Sequence, residues 1–290
     1  MIDSRLITFL KLCELMNYRK TAEELSLTQP AVSSQIKMLE QDYGSKLFLY
    51  DKRTLSMTKE AYILREYANN LVYQDKKIRE KLKADEGFDI CMGATKTIGE
   101  FVIASQVASF LSDDLNNLKV EIDNTERLLS FVESGELDFA IVEGVFDKAK
   151  FLHSLYRREP FLGVCNKHHR FAGKSVSINE IFEESLLIRE EGSGTRDIFE
   201  NILSEHNHGI TEFKKVITIN NFRLMMDVLG KINGITFAYK AVANSYEDLA
   251  TFKIRGLDLE REFNYVYLDN KFSKEAVNFF KTFSIMNRNS

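Results

Sequence analysis

The sequence predicts an α/β protein in which a winged helix-turn-helix of the all-α type precedes a larger domain of two lobes built on doubly wound sheets. Three observations lead to this prediction. Residues 18–48 have the spacing of a short helix, a tight turn and a longer helix. An amphipathic stretch follows from Thr58, and strand and helix patterns alternate after Gly87. With 290 residues, the chain can form one small and one large domain.

The helix-turn-helix is preceded by a first helix, which the apolar spacing predicts over residues 4–16. Thr28 is a suitable N-cap for the longer helix, because its hydroxyl can accept a free backbone N–H. Pro30 falls in the first turn, where no N–H is needed. The helix continues with an apolar face and ends at Gly44. A short helix, a turn and a helix that starts with small polar residues form the usual DNA-binding arrangement.

The first residues of this second helix suit the edges of DNA bases. Gln29 can bind adenine through both amide atoms, and Ser33 and Ser34 can donate or accept. The carbons of Pro30 can touch a thymine methyl, whereas Lys37 suits a phosphate. From the spacing alone, a helix pair inside a larger helical bundle remains an alternative.

A family resemblance favours the DNA-binding interpretation. The run TAEELSLTQPAVSSQIKMLEQDYGSKLF resembles the N-terminal domain of LysR-type transcriptional regulators. The matching positions are Thr21-Ala22, Leu25, Thr28-Gln29-Pro30-Ala31-Val32-Ser33, Leu39-Glu40, Gly44 and Leu47-Phe48. The resemblance continues more weakly, but in order, to the C-terminus. It implies that the DNA-binding residues are Thr28, Gln29, Pro30, Ser33, Ser34, Lys37, Lys52 and Arg53.

Lys52 and Arg53 lie in the predicted wing, a short two-stranded hairpin in LFLYDKRTLSMT. Basic wing residues bind phosphates or enter the minor groove. Arg53 matches the arginine of the family's wing, but Tyr50 stands where the family usually has another arginine. We therefore expect a weaker wing contact, or one made by Lys52.

The charge distribution agrees with a DNA-binding head on an acidic body. The net charge is −4, but residues 1–59 hold nine basic and seven acidic side chains. Three widely spaced cysteines are typical of reduced thiols, and the histidines lack the spacing of a metal site. The sequence has neither a signal peptide nor a membrane-length apolar run. We expect a cytoplasmic protein without a cofactor.

A long helix is predicted from Thr58 to about Asp85. Its apolar positions alternate by four and three and form a heptad seam, which consists of Met57, Ala61, Leu64, Ala68, Leu71, Ile78 and Leu82, with a charged break at Asp75. Such a helix implies a partner chain, as in the linker helix of the family, although packing on its own body is the alternative. The expected assembly is a homodimer or a homotetramer.

The larger domain starts with the pattern βαβαβ, which predicts a doubly wound parallel sheet that binds small molecules at the carboxyl ends of its strands. GELDFAIVEG and GATKTIGEF resemble the corresponding parts of the family's sensor domain. Thr95, Lys96, Thr97 and Ile98 can form an anion site at a helix start.

The second lobe is predicted from about Phe161, and the run EGSGTR at residues 191–196 is its most informative segment. Its glycines and hydroxyls open a helix, so that backbone amides can close on an anion that Arg196 also pairs with. From the spacing alone, a plain flexible loop is equally acceptable. The family commonly carries such a run at its ligand cleft.

Together these features predict three segments: residues 1–58 for DNA binding, 59–86 for the linker helix and 87–290 for effector binding. Lobe I would comprise residues 87–160 and 265–290, and lobe II residues 161–264. The two lobes would resemble periplasmic binding proteins. We expect them to hold a small anionic effector between Thr95, Lys96, Thr97, Ile98 and Thr125 on one side and Ser193, Gly194, Thr195 and Asn220 on the other.

The predicted function is therefore sequence-specific, effector-controlled transcriptional regulation. Its expected partners are double-stranded DNA with an inverted repeat and a second copy of the chain, with RNA polymerase as a further candidate and no membrane. The alternatives are a ligand-independent architectural DNA-binding protein and an α/β enzyme. No nucleophile elbow, dinucleotide-binding run or metal set supports an enzyme. The sequence names neither the effector nor the operator.

Overall fold

A computed structural model of the chain describes residues 2–51, 54–82, 87–144, 146–257 and 259–286. They form a helical head with a two-stranded wing, a long helix and a two-lobed α/β domain. Within these ranges, no helix combines the length and the hydrophobicity needed to span a bilayer.

The head consists of α1 (Ser4–Leu15), α2 (Tyr18–Glu24) and α3 (Gln29–Asp42), followed by the wing strands β1 (Phe48–Asp51) and β2 (Thr54–Met57). The three helices pack on one another, and their inward residues form one buried cluster with the start of the wing. The predicted helix-turn-helix is confirmed, because the residues at helical spacing in α3 are the buried ones. The predicted wing is confirmed by the strands β1 and β2.

Helix α4 (Lys59–Lys81) connects the head to the rest of the chain. It begins where predicted, because the hydroxyl of Thr58 accepts a hydrogen bond of 3.1 Å from the amide of Ala61. Its predicted end near Asp85 lies outside the described residues.

The predicted heptad seam of α4 is wrong for its first half. Ala61, Leu64 and Ala68 are buried against the chain's own head, and Leu71 packs on the same cluster. Alanine and leucine at these positions let α1 approach α4 closely, so the head covers this face. Of the predicted seam, Ile78 and Leu82 are exposed.

Lobe I follows the predicted βαβαβ order, with the first helix divided in two. Its elements are β3 (Asp89–Thr95), α5 (Lys96–Phe101), α6 (Ala104–Phe110), β4 (Asn117–Asp123), α7 (Thr125–Ser134) and β5 (Phe139–Glu143). The division occurs because the amides of Val102 and Ile103 both donate to the carbonyl of Ile98, which ends α5.

Strand β6 (Leu152–Asn166) leads into lobe II. Lobe II contains β7 (Ser175–Val176), α8 (Ile178–Phe182), β8 (Ser185–Ile188), α9 (Gly194–Glu205), a 3-10 turn at Ile210–Glu212, β9 (Lys215–Thr218), α10 (Phe222–Leu229), β10 (Ile235–Tyr239), α11 (Lys240–Ala243) and β11 (Leu249–Ile254). The chain returns to lobe I through β12 (Glu260–Tyr267) and ends in α12 (Lys271–Met286).

The lobes share one continuous set of hydrogen-bonded strands, in the order β4-β3-β5-β12-β6-β10-β8-β9. Within each lobe three strands are parallel, as predicted, but the crossing strands β6 and β12 are antiparallel to their neighbours, so the sheets are mixed. β6 pairs with β12 up to Pro160 and with β10 from Phe161, which is the predicted crossing. The return begins at Glu260 and not at residue 265, because β12 pairs along the whole first part of β6.

Candidate functional site: the recognition helix and the interlobe cleft

Helix α3 presents most of the predicted DNA-binding residues on its outer face. Gln29, Pro30, Ser34 and Lys37 are exposed, and Ser33 is half-buried. Thr28 caps the helix, because its hydroxyl accepts a hydrogen bond of 3.3 Å from the amide of Ala31. The opposite face fixes the helix in the head through its buried aliphatic residues. The exposed polar face is therefore free to enter a groove.

Glu40 connects this helix to the wing. Its carboxylate accepts hydrogen bonds from the ammonium of Lys46 at 2.6 Å and from the amide of Leu47 at 2.9 Å. Burial raises the pKa of Glu40, but these two bonds outweigh burial and hold it below its ordinary value. Glu40 therefore stays ionised, and its bonds connect the end of α3 to the start of the wing.

The wing presents an aromatic residue where the resemblance led us to look for an arginine. Tyr50 is 68% exposed and stacks on Tyr18, with a ring-centroid distance of 6.5 Å. Lys52 and Arg53 lie outside the described residues, so their contact with DNA stays a prediction.

The predicted effector residues lie at the carboxyl ends of the strands of the two lobes. Thr95 ends β3, Lys96, Thr97 and Ile98 follow it, and Thr125 follows β4. In lobe II, Ser193, Gly194 and Thr195 open α9 after β8, and Asn220 follows β9.

The two edges face each other. The ring of Phe101 in lobe I lies 5.6 Å from that of Phe222 and 6.4 Å from that of Tyr246 in lobe II, measured between centroids. The pKa of Glu190 in lobe II is lowered first by its hydrogen bond with Arg189, and the charge of Lys96 in lobe I also contributes. The strand ends of the two lobes therefore meet at one junction, the interlobe cleft, in which Thr95, Thr97, Ile98 and Thr195 are buried. Effector binding by these residues stays a prediction.

The starts of α5 and α9 lack the side-chain cap that six other described helices have. Side chains cap α1, α2, α3, α4, α7 and α10 through hydrogen bonds to the helical N–H groups. The N-cap residues Thr95 of α5 and Ser193 of α9 also have hydroxyls, but neither makes a cap bond. The first N–H groups of α9 thus remain available to an acceptor from outside the helix.

Glu143, at the end of β5, is a cleft residue that the sequence analysis missed. Burial raises its pKa to about 7, although the nearby hydroxyls of Thr95 and Thr97 act to lower it. The hydroxyl of Thr125 donates a bond of 3.4 Å to the backbone carbonyl of Glu143. Its position directly after the Asp-Phe-Ala-Ile-Val strand was the available signal, since ligands bind at such strand ends.

A groove of about 560 Å³ opens beside the cleft. It is bordered by Gly144 and Lys148 of lobe I, by Ile198 and Asn201 on α9, and by Arg158 on the crossing strand β6. Thr195 lines a much smaller cavity of about 10 Å³, which has room for one water molecule at most. The groove therefore gives solvent a route to the junction of the two lobes.

Comparison with known proteins identifies the family of this chain. Residues 4–62 match the model of the bacterial regulatory helix-turn-helix protein, lysR family, and residues 89–285 match that of the LysR substrate binding domain. The second match alone covers more than half of the sequence. The chain belongs to the LysR family of transcriptional regulators.

This LysR-family regulator has relatives and structural neighbours along its whole length. It is 26% identical over 280 residues to the HTH-type transcriptional regulator CysL of Bacillus subtilis (strain 168), which covers 92% of each chain. A full-length OxyR variant from Pseudomonas aeruginosa has the same fold, with a TM-score of 0.67 and 19% identity over 98% of this chain and 94% of that one.

The regulatory domain of CcmR from Synechocystis PCC6803, solved in complex with 2-PG, matches with a TM-score of 0.57 and 16% identity. It covers 67% of this chain, and this chain covers 96% of it. The matched regulators are not enzymes, and neither is this LysR-family protein, which is a DNA-binding transcriptional regulator with an effector-binding domain.

Two further residues, Met38 and Gln41, lie on the outer face of α3. Met38 is 48% exposed and follows Ser34 by four residues, and the exposed Gln41 follows Lys37 by four. This spacing places them there, because residues four apart share one face of a helix. They extend the outer face of the LysR-family recognition helix toward its C-terminal end.

Arg196, which the sequence suggests as a partner of the anion, is engaged within the protein in the ligand-free structure, and its pairing with an anion stays a prediction. Its guanidinium donates to the carboxylate of Glu200 at 2.7 Å and to the carbonyl of Arg189 at 3.2 Å. These contacts keep it on its own helix, because a carboxylate four residues away lies within its reach. The three cysteines are free, as predicted; Cys13 and Cys165 are buried and Cys91 is half-buried. Burial raises the pKa of Cys13 and of Cys165 to about 12.

Proposed function

We propose that this protein is a homodimeric repressor or activator that binds an inverted-repeat operator and responds to a small effector with an anionic group, bound between its two lobes. The observation that supports the effector site is the start of α9. Ser193 makes no cap bond, so the amides that open this helix at the cleft are left for another acceptor. A helix start of this kind favours an anion.

The ligand of one neighbour supports the same proposal. The regulatory domain of CcmR, which has a similar fold over 67% of this chain, was solved with 2-PG. Ligand binding would control DNA binding only if the ligand favoured one arrangement of the lobes over another. The aromatic contact of Phe101 with Phe222 and Tyr246 is a contact that lobe opening would break.

The proposed dimer uses an exposed face of α4 that differs from the predicted seam. Tyr62, Ile63 and Tyr67 are 59%, 62% and 55% exposed, and they lie next to one another on the helix. A second copy would cover this apolar face and place two heads on two half-sites. Replacing Ile63 and Tyr67 together by aspartate should give a monomer in light scattering, whereas Ile78→Asp tests whether the contact reaches the end of α4.

The DNA-binding part is tested with bound fragments selected from random sequence. We expect an inverted repeat rich in A·T. Replacing Gln29 or Ser34 by alanine should relax the base preference by about 1–3 kcal/mol per lost pairing. Lys37→Ala and Arg53→Ala serve as matched controls, because loss of a phosphate contact weakens binding to every sequence alike. Unchanged base preference in all four variants would contradict the assignment of α3.

The effector site is tested by the melting temperature of the full chain with small carboxylates and oxyanions. At least one should raise the melting temperature of the wild type and change its DNA affinity. The variant Thr97→Ala with Ser193→Ala should lose this response. A response that survives in the double variant would place the effector elsewhere.

A further inference from the structure

Three polar side-chain atoms at the floor of the interlobe cleft are buried without a hydrogen-bond partner among the described residues. They are Oγ1 of Thr95, Oε2 of Glu143 and the phenol oxygen of Tyr239. Thr95 is 4% exposed and Tyr239 is 0% exposed. Native proteins satisfy most buried polar atoms, so three together at one place are unusual.

These atoms come from both lobes and from equivalent positions. Thr95 ends β3 and Glu143 ends β5 in lobe I, whereas Tyr239 ends β10 in lobe II. Burial raises the pKa of Tyr239, and the neighbouring carboxyl of Glu143 raises it further. The ring of Tyr239 lies 4.9 Å from that of Phe263, measured between centroids, and Phe263 is the strand partner of Glu143. The three residues therefore lie in one neighbourhood, at the strand ends where α/β sheets bind ligands.

A missing hydrogen-bond partner is not common to all the acids near the cleft. Glu159, the other buried acid near α11, is fully engaged, because it accepts the amide of Ala241 at 2.7 Å and pairs with Arg157 at 2.8 Å. Glu190 at the cleft edge is paired with Arg189 at 2.8 Å. Glu143 differs from both in that no well-formed hydrogen bond reaches its Oε2 in the described part of the chain, although the hydroxyls of Thr95 and Thr97 lie near enough to lower its pKa.

An ammonium group matches this set of oxygens. It carries three N–H donors and no acceptor, and the cleft floor offers three oxygens that can each accept one bond. A carboxylate also forms its strongest hydrogen bonds with charged donors. An anion without an amine, placed at the same point, would face the carboxyl of Glu143 and would not be stabilised by it.

We propose that the effector is a small amino acid, whose ammonium group binds Thr95, Glu143 and Tyr239 and whose anionic group binds the start of α9. This inference rests on the proposed function, since it assumes the same cleft. It adds the chemical class of the effector and names Glu143 and Tyr239 as the residues that select for the amine. Entry of the ligand requires the lobes to part, because the three oxygens are covered in the present arrangement.

The proposal has a proton-linked consequence. The pKa of Glu143 is about 7 in the ligand-free chain, so its carboxyl is partly protonated at neutral pH. Thr95 and Thr97 face it within lobe I, Tyr239 faces it from lobe II, and Arg261 and Glu159 in turn act on the pKa of Tyr239. An arriving ammonium favours the ionised carboxylate, so binding at pH 7 should release protons.

The test uses the full chain and matched sets of acids that share a carbon skeleton. Each set contains the α-amino acid, the α-hydroxy acid and the unsubstituted acid, for example alanine, lactate and propionate, or aspartate, malate and succinate. We expect an amino acid to raise the melting temperature most, with at least tenfold tighter binding than its unsubstituted acid. Calorimetry at pH 7 in two buffers of different ionisation enthalpy should detect the released protons.

Single substitutions measure how much each residue contributes to the preference for the amine. Glu143→Gln should remove both the amine preference and the proton release, and Tyr239→Phe should weaken the preference. Glu190→Gln is the matched control, since this acid is already paired with Arg189, and it should keep the preference. Circular dichroism and the ligand-free melting temperature verify that each variant is folded.

Each outcome decides between the two proposals. If an unsubstituted or hydroxy acid binds as tightly as the amino acid, and Thr97→Ala with Ser193→Ala abolishes binding, the cleft stands and the amine assignment is wrong. If Glu143→Gln keeps the preference for the amine, the assignment is also wrong. If no acid in any set binds, or if binding survives the double variant, the effector cleft itself fails, whereas DNA binding is judged separately by the selected fragments.

Discussion

Strand β5 has an acidic residue at each end, and the two carboxyls have opposite surroundings. Asp138, just before the strand, accepts hydrogen bonds from the hydroxyl of Tyr73 at 2.6 Å, from the ammonium of Lys77 at 3.0 Å and from the amide of Cys91 at 2.7 Å. Glu143, at the other end, leaves Oε2 without a partner in the described residues. The protein itself supplies the hydrogen-bond donors at one end, whereas at the other end Oε2 has none among the described residues.

The saturated end attaches the linker helix α4 to lobe I. Tyr73 lies so close to Gly135 that a Cβ added to this glycine would approach the Cβ of Tyr73 to 2.6 Å, and Gly135 also has a φ of +76°. Burial acts to lower the pKa of Lys77, but the attraction of Asp138 outweighs it and raises the pKa. The difference teaches that a satisfied buried polar cluster holds parts of a regulator together, whereas an unsatisfied one is the place at which we propose that its ligand binds.

The largest expected effect concerns the saturated end. Asp138→Ala leaves the charge of Lys77 buried without its partner, so we expect a loss of about 3–5 kcal/mol in the free energy of unfolding of the region that contains α4 and lobe I. Urea denaturation of the full chain measures it.

The matched control for Asp138 lies at the rim of the same contact. Glu275 pairs with Lys81 at 3.0 Å, and the lysine is largely exposed. Glu275→Ala should lower the free energy of unfolding by less than about 1 kcal/mol, because exposed ion pairs contribute little. Equal effects of the two substitutions would remove the distinction between a buried and an exposed attachment of α4.

At the other end of β5, where Glu143 lacks a partner, removing the carboxyl should raise the free energy of unfolding instead of lowering it. The pKa of Glu143 is about 7 in the folded chain and 4.5 ordinarily, so the folded state holds a proton that the unfolded state loses between these values. Stability therefore falls as the pH rises from about 4.5 to 7, and the penalty is complete above that range, at up to about 3 kcal/mol.

Glu143→Gln should remove this penalty. The variant should match the wild type near pH 4.5 and be more stable at pH 8, which parallel urea titrations at the two pH values will measure. Taking the difference between the proteins cancels the other groups that titrate. A variant less stable than the wild type at pH 8 would mean that Glu143 has a partner, and the contrast between the two ends of β5 would be lost.

The smallest expected effect compares two hydroxyls at helix starts. Thr28 caps α3, whereas Ser193 makes no cap bond to α9. Thr28→Ala should cost about 1 kcal/mol of unfolding free energy, and Ser193→Ala less than about 0.5 kcal/mol. Thermal unfolding of the two variants tests this. A larger loss for Ser193→Ala would show that its hydroxyl already serves the folded chain.

The head was predictable to the level of single side chains, because its features are local. Thr28, Pro30 and the apolar spacing that follows fix where α3 begins and which face is buried, and the outer face is what remains. The strand and helix order of lobe I was predictable for the same reason. The break between α5 and α6 was not predicted. It depends on the backbone carbonyl of Ile98, which accepts hydrogen bonds from two amides, and no local sequence pattern indicates it.

The α4 helix illustrates a prediction that local pattern could not complete. Its spacing gave the helix and its amphipathic character, but a seam of alanine and leucine fits a partner chain and the chain's own head equally well. The head occupies that face, so the exposed face became the one with Tyr62, Ile63 and Tyr67. Which surface covers an apolar face depends on contacts between residues far apart in sequence.

The amino-acid sequence by itself determined the family, the order of the elements, the recognition helix and the strand ends at which a ligand is expected, since capping, periodicity and turn chemistry act over a few residues. Tertiary structure alone decided that Asp138 is saturated and Glu143 is not, and that Thr95 and Tyr239 reach the same neighbourhood from different lobes. Burial and pairing depend on which distant strands and helices meet, and the properties of a carboxyl follow from those neighbours.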